Sequence, residues 1–124
     1  MKRIEFLDEE KTLVKKYCIN TTSLVKEVGF ALLLYVQHGI PTRIPIDYDV
    51  SELSVTFVAL SGPTLGELTE GNHYKAQVDE LVEFLKSLGL HYNDVNMDNF
   101  VKDIVTGRIG ILDLESIKYV PKTF

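Results

Sequence analysis

The order in which strand-like and helix-like hydrophobic periods follow one another constrains the fold of this chain most strongly. Six segments have a strand-like pattern: 2–7, 12–19, 44–48, 53–60, 100–105 and 108–114. Two segments, 24–37 and 74–88, have a helical period. The chain is therefore predicted to be an α+β domain, in which a small antiparallel sheet with one helix precedes a helix, a polar loop and a hairpin.

The two predicted helices differ in their hydrophobic pattern. Residues 20–23 offer several N-cap candidates for the first helix, which is apolar on nearly all sides. We expect that helix to be largely buried. The second helix has a single apolar face, and Gly89 is placed to end it as a C-cap.

Length and composition indicate one domain in a reducing compartment. The 124 residues suit a single domain, 1–124, in which 61–70 is a hinge between a strand-rich part, 1–60, and a helix-plus-hairpin part, 71–124. A net charge of −5 argues against nucleic-acid binding. No apolar run is long enough for a membrane span or a signal peptide. The one cysteine, Cys18, cannot form an internal disulfide, so we expect a cytoplasmic protein.

Three side chains with oxygen atoms indicate the chemistry of the second part. Asp94 and Asn99 lie in the polar loop 91–99, and Asp113 ends the hairpin that follows. Carboxylate and amide oxygens suit Mg²⁺, and phosphoryl transfer needs metal-bound phosphates beside an oriented hydroxyl. Asn99 and Asp113 are therefore predicted metal ligands, and Asp94 is the predicted catalytic base. The alternative is a plain polar loop, because Asp and Asn are also favoured in turns.

At these residues the chain resembles the protein-kinase-like superfamily. The pattern Asp-x-x-x-x-Asn, from Asp94 to Asn99, is similar to its catalytic loop, and the hairpin that ends in Ile-Leu-Asp is similar to its metal-binding turn. Asn93-Asp94 and Asp113-Leu114-Glu115 look closest to the choline-kinase and aminoglycoside-phosphotransferase branch. The resemblance implies ATP and Mg²⁺ as cofactors and an alcohol group as the phosphoryl acceptor.

The resemblance also implies roles for residues in the first part. The second strand would carry the lysine that contacts the nucleotide phosphates. Lys15 is the first choice and Lys16 the alternative, since strand alternation points only one of them inward. Glu27, on the first helix, would pair with that lysine. Ser61 and Gly62 would meet the adenine base through their backbone groups.

Two departures from the family pattern shape the expected function. No Gly-x-Gly-x-x-Gly occurs, and one strand precedes the lysine strand, so the turn 8–11 is expected where the phosphate-covering loop would lie. Only eleven residues follow Asp113, so the large helical C-lobe is expected to be absent. The sequence thus predicts a minimal kinase-like phosphotransferase. The alternative is a catalytically inactive, pseudokinase-like module that binds and regulates a protein partner or forms a homodimer.

Overall fold

A computed structural model describes residues 3–68, 71–93 and 95–120 of the chain. Eight strands are present in this part: β1 Arg3–Phe6, β2 Leu13–Tyr17, β3 Ile44–Asp49, β4 Ser54–Val58, β5 Leu90–Tyr92, β6 Phe100–Lys102, β7 Ile109–Ile111 and β8 Ile117–Tyr119. The α-helices are α1 Thr21–Leu32 and α2 Lys75–Ser87. The predicted α+β architecture is confirmed.

The four strands of the first part form one antiparallel sheet in the order β1-β2-β4-β3. Alternate residues point to α1, which packs on one face of this sheet. Val14, Val55 and Phe57 are buried there against Leu24 of the helix. The edge strand β3 has an irregular register between Pro45 and Asp47, so its pairing with β4 is not continuous.

The turn between β1 and β2 is held by the side chain of Asp8. Its carboxylate accepts hydrogen bonds from Thr12 N (2.9 Å) and Leu13 N (3.0 Å). Hydrogen bonds from the Thr12 hydroxyl and from Leu13 N lower the pKa of this carboxyl. The turn lies beside Ala59, whose N donates to Thr12 O. It therefore precedes the Leu13 end of β2, whereas Lys16 is near the other end, and its position over the phosphates stays a prediction.

Helix α1 begins as the sequence predicts but is buried on only one side. The Asn20 side chain accepts a hydrogen bond from Ser23 N at 2.8 Å, which makes Asn20 the N-cap. The helix continues after Leu32 as a π-helical turn, Leu33–Gln37. Val25 is 61% exposed and Leu32 is 48% exposed. The expectation of a largely buried helix is therefore wrong, because the sheet covers only one face.

The second part packs α2 against the three-residue strands. Val78, Val82 and Leu85 form the buried face of α2. Gly89 follows the helix with φ +82°, which fulfils its predicted role in ending it. Strands β5 and β8 pair with each other, as do β6 and β7. These two strand pairs, α2 and the end of α1 bury one continuous core that includes Leu34, Phe100 and Ile111.

The helices of the described residues are too short, too polar or both to cross a lipid bilayer.

Candidate functional site

The inward-facing lysine of β2 is Lys16. Burial alternates along β2, so Val14 and Lys16 face α1 while Lys15 faces the other way. Lys16 is only 2% exposed and forms an ion pair with Glu27 of α1. Lys15 instead lies 2.7 Å from Glu52, at the protein surface. The choice of Lys15 over Lys16 is therefore wrong, whereas the predicted pairing of Glu27 with the inward lysine is observed.

Glu27 is held inside by the hydrophobic face of its helix. It shares that face with Leu24 and Ala31, and is itself 1% exposed. Burial raises the pKa of the Glu27 carboxyl, because loss of solvent penalises the charged form more than Lys16 favours it. The position therefore holds a carboxylate whose charge depends on its cationic neighbours.

Asp113, from the second part of the chain, lies beside the same lysine, Lys16. Its Oδ1 lies 3.6 Å from Lys16 Nζ. Its Oδ2 accepts a hydrogen bond of 2.9 Å from Ser116 Oγ. The Lys16 ammonium thus lies between two carboxylates that come from different parts of the chain.

A second cation, Arg43, belongs to the same group of charges. Burial lowers the pKa of its guanidinium, while the nearby carboxylates of Glu27 and Asp113 act in the opposite direction. Lys16, Glu27, Arg43 and Asp113 are hereafter called the ion cluster, which contains two cations and two anions. The sequence reasoning missed Arg43. The sequence feature that could have indicated this residue is that Arg43 is the single charged residue in the stretch 40–46.

The predicted metal ligands Asn99 and Asp113 lie on adjacent segments. Asn99 ends a 3₁₀ turn, Met97–Asn99, and its carbonyl accepts a hydrogen bond of 2.8 Å from Leu112 N. This bond places the backbone of Asn99 next to the segment that carries Asp113. Asp94, the predicted base, lies outside the described residues.

One carboxylate and one amide fit a hard cation that keeps several of its waters, as Mg²⁺ does. A site made entirely of His, Cys, Asp and Glu would need more ligands, and no group of three such residues occurs in the described part of the chain. Asn99 and Asp113 are of the residue types that a hydrated Mg²⁺ accepts as ligands.

Ser61 and Gly62 follow the Val58 end of β4, whereas Lys16 is paired with Val55 near the other end. Ser61 O accepts a hydrogen bond of 2.9 Å from Ile104 N. Gly62 has φ +142°, and a Cβ built on it would stand 2.0 Å from Lys102 O. Both residues line a cavity of about 300 Å³ that also includes Lys11 and Thr12. The predicted hinge thus runs in close contact with the β6–β7 hairpin.

We expect Lys15→Ala to lower the free energy of unfolding far less than Lys16→Ala does, because exposed ion pairs contribute little. Lys15 and its partner Glu52 have side-chain exposures of 23% and 42%. Urea unfolding at neutral pH is the measurement, and Lys16→Ala is the matched variant on the buried side of β2. Equal losses for the two variants would contradict the assignment of Lys16 as the inward lysine.

No protein-family model and no curated protein matches the sequence. Among solved structures, the chain is similar to Rv3197 from Mycobacterium tuberculosis, determined in complex with erythromycin. The two share 21% sequence identity and superpose with a TM-score of 0.56. The match covers 80% of this chain but 26% of the Rv3197 chain. At this identity the likeness shows a shared fold.

Proposed function

We propose that the chain is a small kinase-like phosphotransferase that uses ATP and Mg²⁺ to phosphorylate an alcohol group. One observation carries the proposal: Lys16 is buried between Glu27 and Asp113, and its Nζ lies 3.6 Å from Asp113 Oδ1. This combination of a strand lysine, a helix acid and a hairpin acid is what the protein-kinase-like resemblance implies. The cytoplasm is the proposed location, since a chain with a single cysteine, Cys18, cannot form an internal disulfide.

The energetics of the ion cluster support a functional rather than a structural reason for these charges. Burying an ion pair costs desolvation energy that its Coulomb attraction only partly offsets, so well-packed apolar residues are often equally stable. Four charged groups are nevertheless held together in the ion cluster. Groups whose pKa is shifted by burial and by specific charges are common at functional sites.

Each residue of the proposed site has one role. Lys16 contacts the nucleotide phosphates, and Glu27 positions Lys16. Asn99 and Asp113 hold Mg²⁺, which when bound neutralises charge on the phosphates. Asp94 remains the proposed base that orients the acceptor hydroxyl.

A second candidate is an inactive module that binds and regulates a partner protein. It is favoured by the burial of Lys16, which is 2% exposed and already paired with Glu27. A phosphate could reach its ammonium only by displacing one of the two carboxylates. In this case the ion cluster would serve to join the two parts of the chain.

Thermal unfolding with and without Mg²⁺-ATP tests the proposal. At a hundred times its dissociation constant, the nucleotide is expected to stabilise the protein by ~2.7 kcal/mol. Asp113→Ala should abolish the magnesium-dependent part of this stabilisation, because it removes a metal ligand.

Asp79→Ala is the matched control for the loss of one carboxylate. Asp79 is an exposed acid on α2 that pairs with Lys75 in the same helix, at 3.0 Å. The Asp79→Ala variant should be stabilised by Mg²⁺-ATP as strongly as the unmodified protein is. Absence of any shift in the unmodified protein would reject the phosphotransferase and favour the inactive module.

A further inference from the structure

The proposed function requires the charges around Lys16 to be redistributed. In the structure the ammonium of Lys16 forms an ion pair with Glu27 and lies 3.6 Å from Asp113 Oδ1. In the proposed function Asp113 holds Mg²⁺ instead, and Lys16 divides its charge between Glu27 and a phosphate. Glu27 is 1% exposed, so water cannot offset what its carboxylate then loses. Another cation near Glu27 is therefore needed if the helix acid is to stay in place.

Backbone pairing holds Arg43 beside the segment that carries Asp113. The chain reverses direction after α1, and Pro41 O accepts a hydrogen bond of 3.0 Å from Ile111 N. Thr42 and Ile111 also form a parallel β-bridge. Because the two segments run in the same direction from this bridge, Arg43 follows it on one segment and Asp113 follows it on the other. The backbone at Arg43 is therefore fixed by pairing that needs none of the charges of the ion cluster.

The charge of Arg43 acts on the same two carboxylates as that of Lys16. Burial lowers the pKa of the Arg43 guanidinium, and the groups that act in the opposite direction are Glu27 and Asp113. Burial raises the pKa of the Glu27 carboxyl, and Arg43 acts together with Lys16 against that effect. Glu27 is ion-paired with Lys16, whereas Arg43 makes no ion pair with another described residue. Arg43 is thus a cation close enough to stabilise Glu27 but not its present ion-pair partner.

An arginine suits this position better than a second lysine would. Its guanidinium is always charged in proteins and is less strongly hydrated than an ammonium. Arg43 therefore stays cationic in its half-buried position, where a lysine would lose its proton more readily. A permanent positive charge near Glu27 is what remains when Lys16 also contacts a phosphate.

We propose that Arg43 is a positioning residue of the phosphotransferase site, an inference that rests on the proposed function. Arg43 offsets the part of the Glu27 charge that Lys16 no longer offsets once it contacts a phosphate. It thereby holds Glu27, and through it the Lys16 side chain, in place. Arg43 itself contacts neither the nucleotide nor the metal. Without Arg43, Glu27 competes with the phosphate for Lys16, and the nucleotide binds more weakly.

Titration calorimetry with Mg²⁺-ATP tests this role in a double-mutant cycle. Arg43→Met removes the charge and should raise the dissociation constant of Mg²⁺-ATP by at least about fivefold. Arg43→Lys keeps the charge and should retain most of the affinity. A Glu27→Gln protein has no helix carboxylate to support. Adding Arg43→Met to it should change the dissociation constant by less than about twofold.

Urea unfolding of the same proteins without nucleotide gives a second, independent measurement. Arg43→Met should lower the urea midpoint of the unmodified protein more than that of the Glu27→Gln protein, because only the former has a charge at position 27 to support. Circular dichroism shows whether each variant is folded, and Arg43→Gln replaces Arg43→Met if the latter is not.

Arg108→Met is the matched control for the loss of one arginine charge. Arg108 is exposed and donates a hydrogen bond of 2.8 Å to Gly39 O, away from the ion cluster. This variant should bind Mg²⁺-ATP as tightly as the unmodified protein does.

The outcomes separate the role of Arg43 from the proposed function. If the unmodified protein binds Mg²⁺-ATP and Arg43→Met binds it equally well, only the role of Arg43 is overturned. The same holds if Arg43→Met weakens binding equally in the Glu27→Gln protein, since Arg43 would then act on the phosphates directly. Equal midpoint shifts in the two backgrounds would also overturn it. If the unmodified protein does not bind Mg²⁺-ATP, the proposed function fails, and the role of Arg43 fails with it.

Discussion

Lys16→Met is expected to lower the free energy of unfolding by roughly 3–5 kcal/mol at neutral pH. The substitution preserves the length of the side chain but removes the charge that lies between Glu27 and Asp113. Two buried or partly buried carboxylates then face each other, with Arg43 as their remaining cationic neighbour. Denaturant unfolding gives the loss directly.

The loss caused by Lys16→Met should depend on pH. Burial raises the folded-state pKa of Glu27 above its unfolded value of 4.5. A group shifted in this direction contributes stability that is fully present below the unfolded pKa and is lost as pH rises through the folded pKa. Removing Lys16 raises the pKa of Glu27 further. The difference between variant and unmodified protein should therefore be smallest below pH 4.5 and grow as pH rises.

The double variant Lys16→Met/Glu27→Leu separates stability from function. It replaces the ion pair by two apolar side chains in a site where both residues are almost fully buried. We expect it to recover most of the stability lost in Lys16→Met, because an apolar pair needs no compensating charge. A double variant as unstable as Lys16→Met would mean that the pair is needed for folding, and would remove the energetic argument for a functional role.

Gly62→Ala is expected to lower the free energy of unfolding by on the order of 3 kcal/mol. The new Cβ would stand 2.0 Å from the carbonyl oxygen of Lys102, which belongs to the backbone of β6. Backbone atoms cannot turn away as a side chain can, so the hinge must separate from the hairpin. The hydrogen bonds from Ile104 N to Ser61 O and from Lys102 N to Pro63 O would weaken with it.

Gly107→Ala provides the matched comparison. Gly107 also has a positive φ, +74°, but a Cβ there would meet nothing within 4 Å. Only the conformational strain remains, roughly 1–2 kcal/mol. The free energy of unfolding of both variants is measured by thermal or denaturant unfolding. The difference between the two losses gives the cost of the contact between a Cβ at position 62 and Lys102 O. Equal losses in the two variants would show that hinge and hairpin do not pack as described.

The order of the long elements could be predicted because each has a clear hydrophobic period. The strands around Val14 and Val55 and the helix around Val78 all occur where the pattern places them. The β5–β8 pair was not predicted, since three-residue strands such as Leu90–Tyr92 are too short to show a period. The exposed side of α1 was also missed, because an apolar residue in the sequence does not reveal whether another element covers it.

The ion cluster could be predicted only in part. Each side of β2 carries one lysine between apolar residues, so alternation could not decide between Lys15 and Lys16. The position of helix α1 decides between the two lysines. Lys16 is the inward one because its partner Glu27 lies on the helix face that also buries Leu24. Arg43 comes near these residues through the chain reversal after α1, which has no local signature. The role of Asp94 as the catalytic base stays a prediction, because this residue lies outside the described part of the chain.

The irregular register of β3 limits how this protein can polymerise. A sheet grows by accepting another strand along a free edge that presents a regular row of backbone donors and acceptors. Pro45 supplies no donor, the register shift after it interrupts the row, and Asp47 and Asp49 add negative charge to the strand. Stacking of further strands into fibrils from this side is therefore disfavoured.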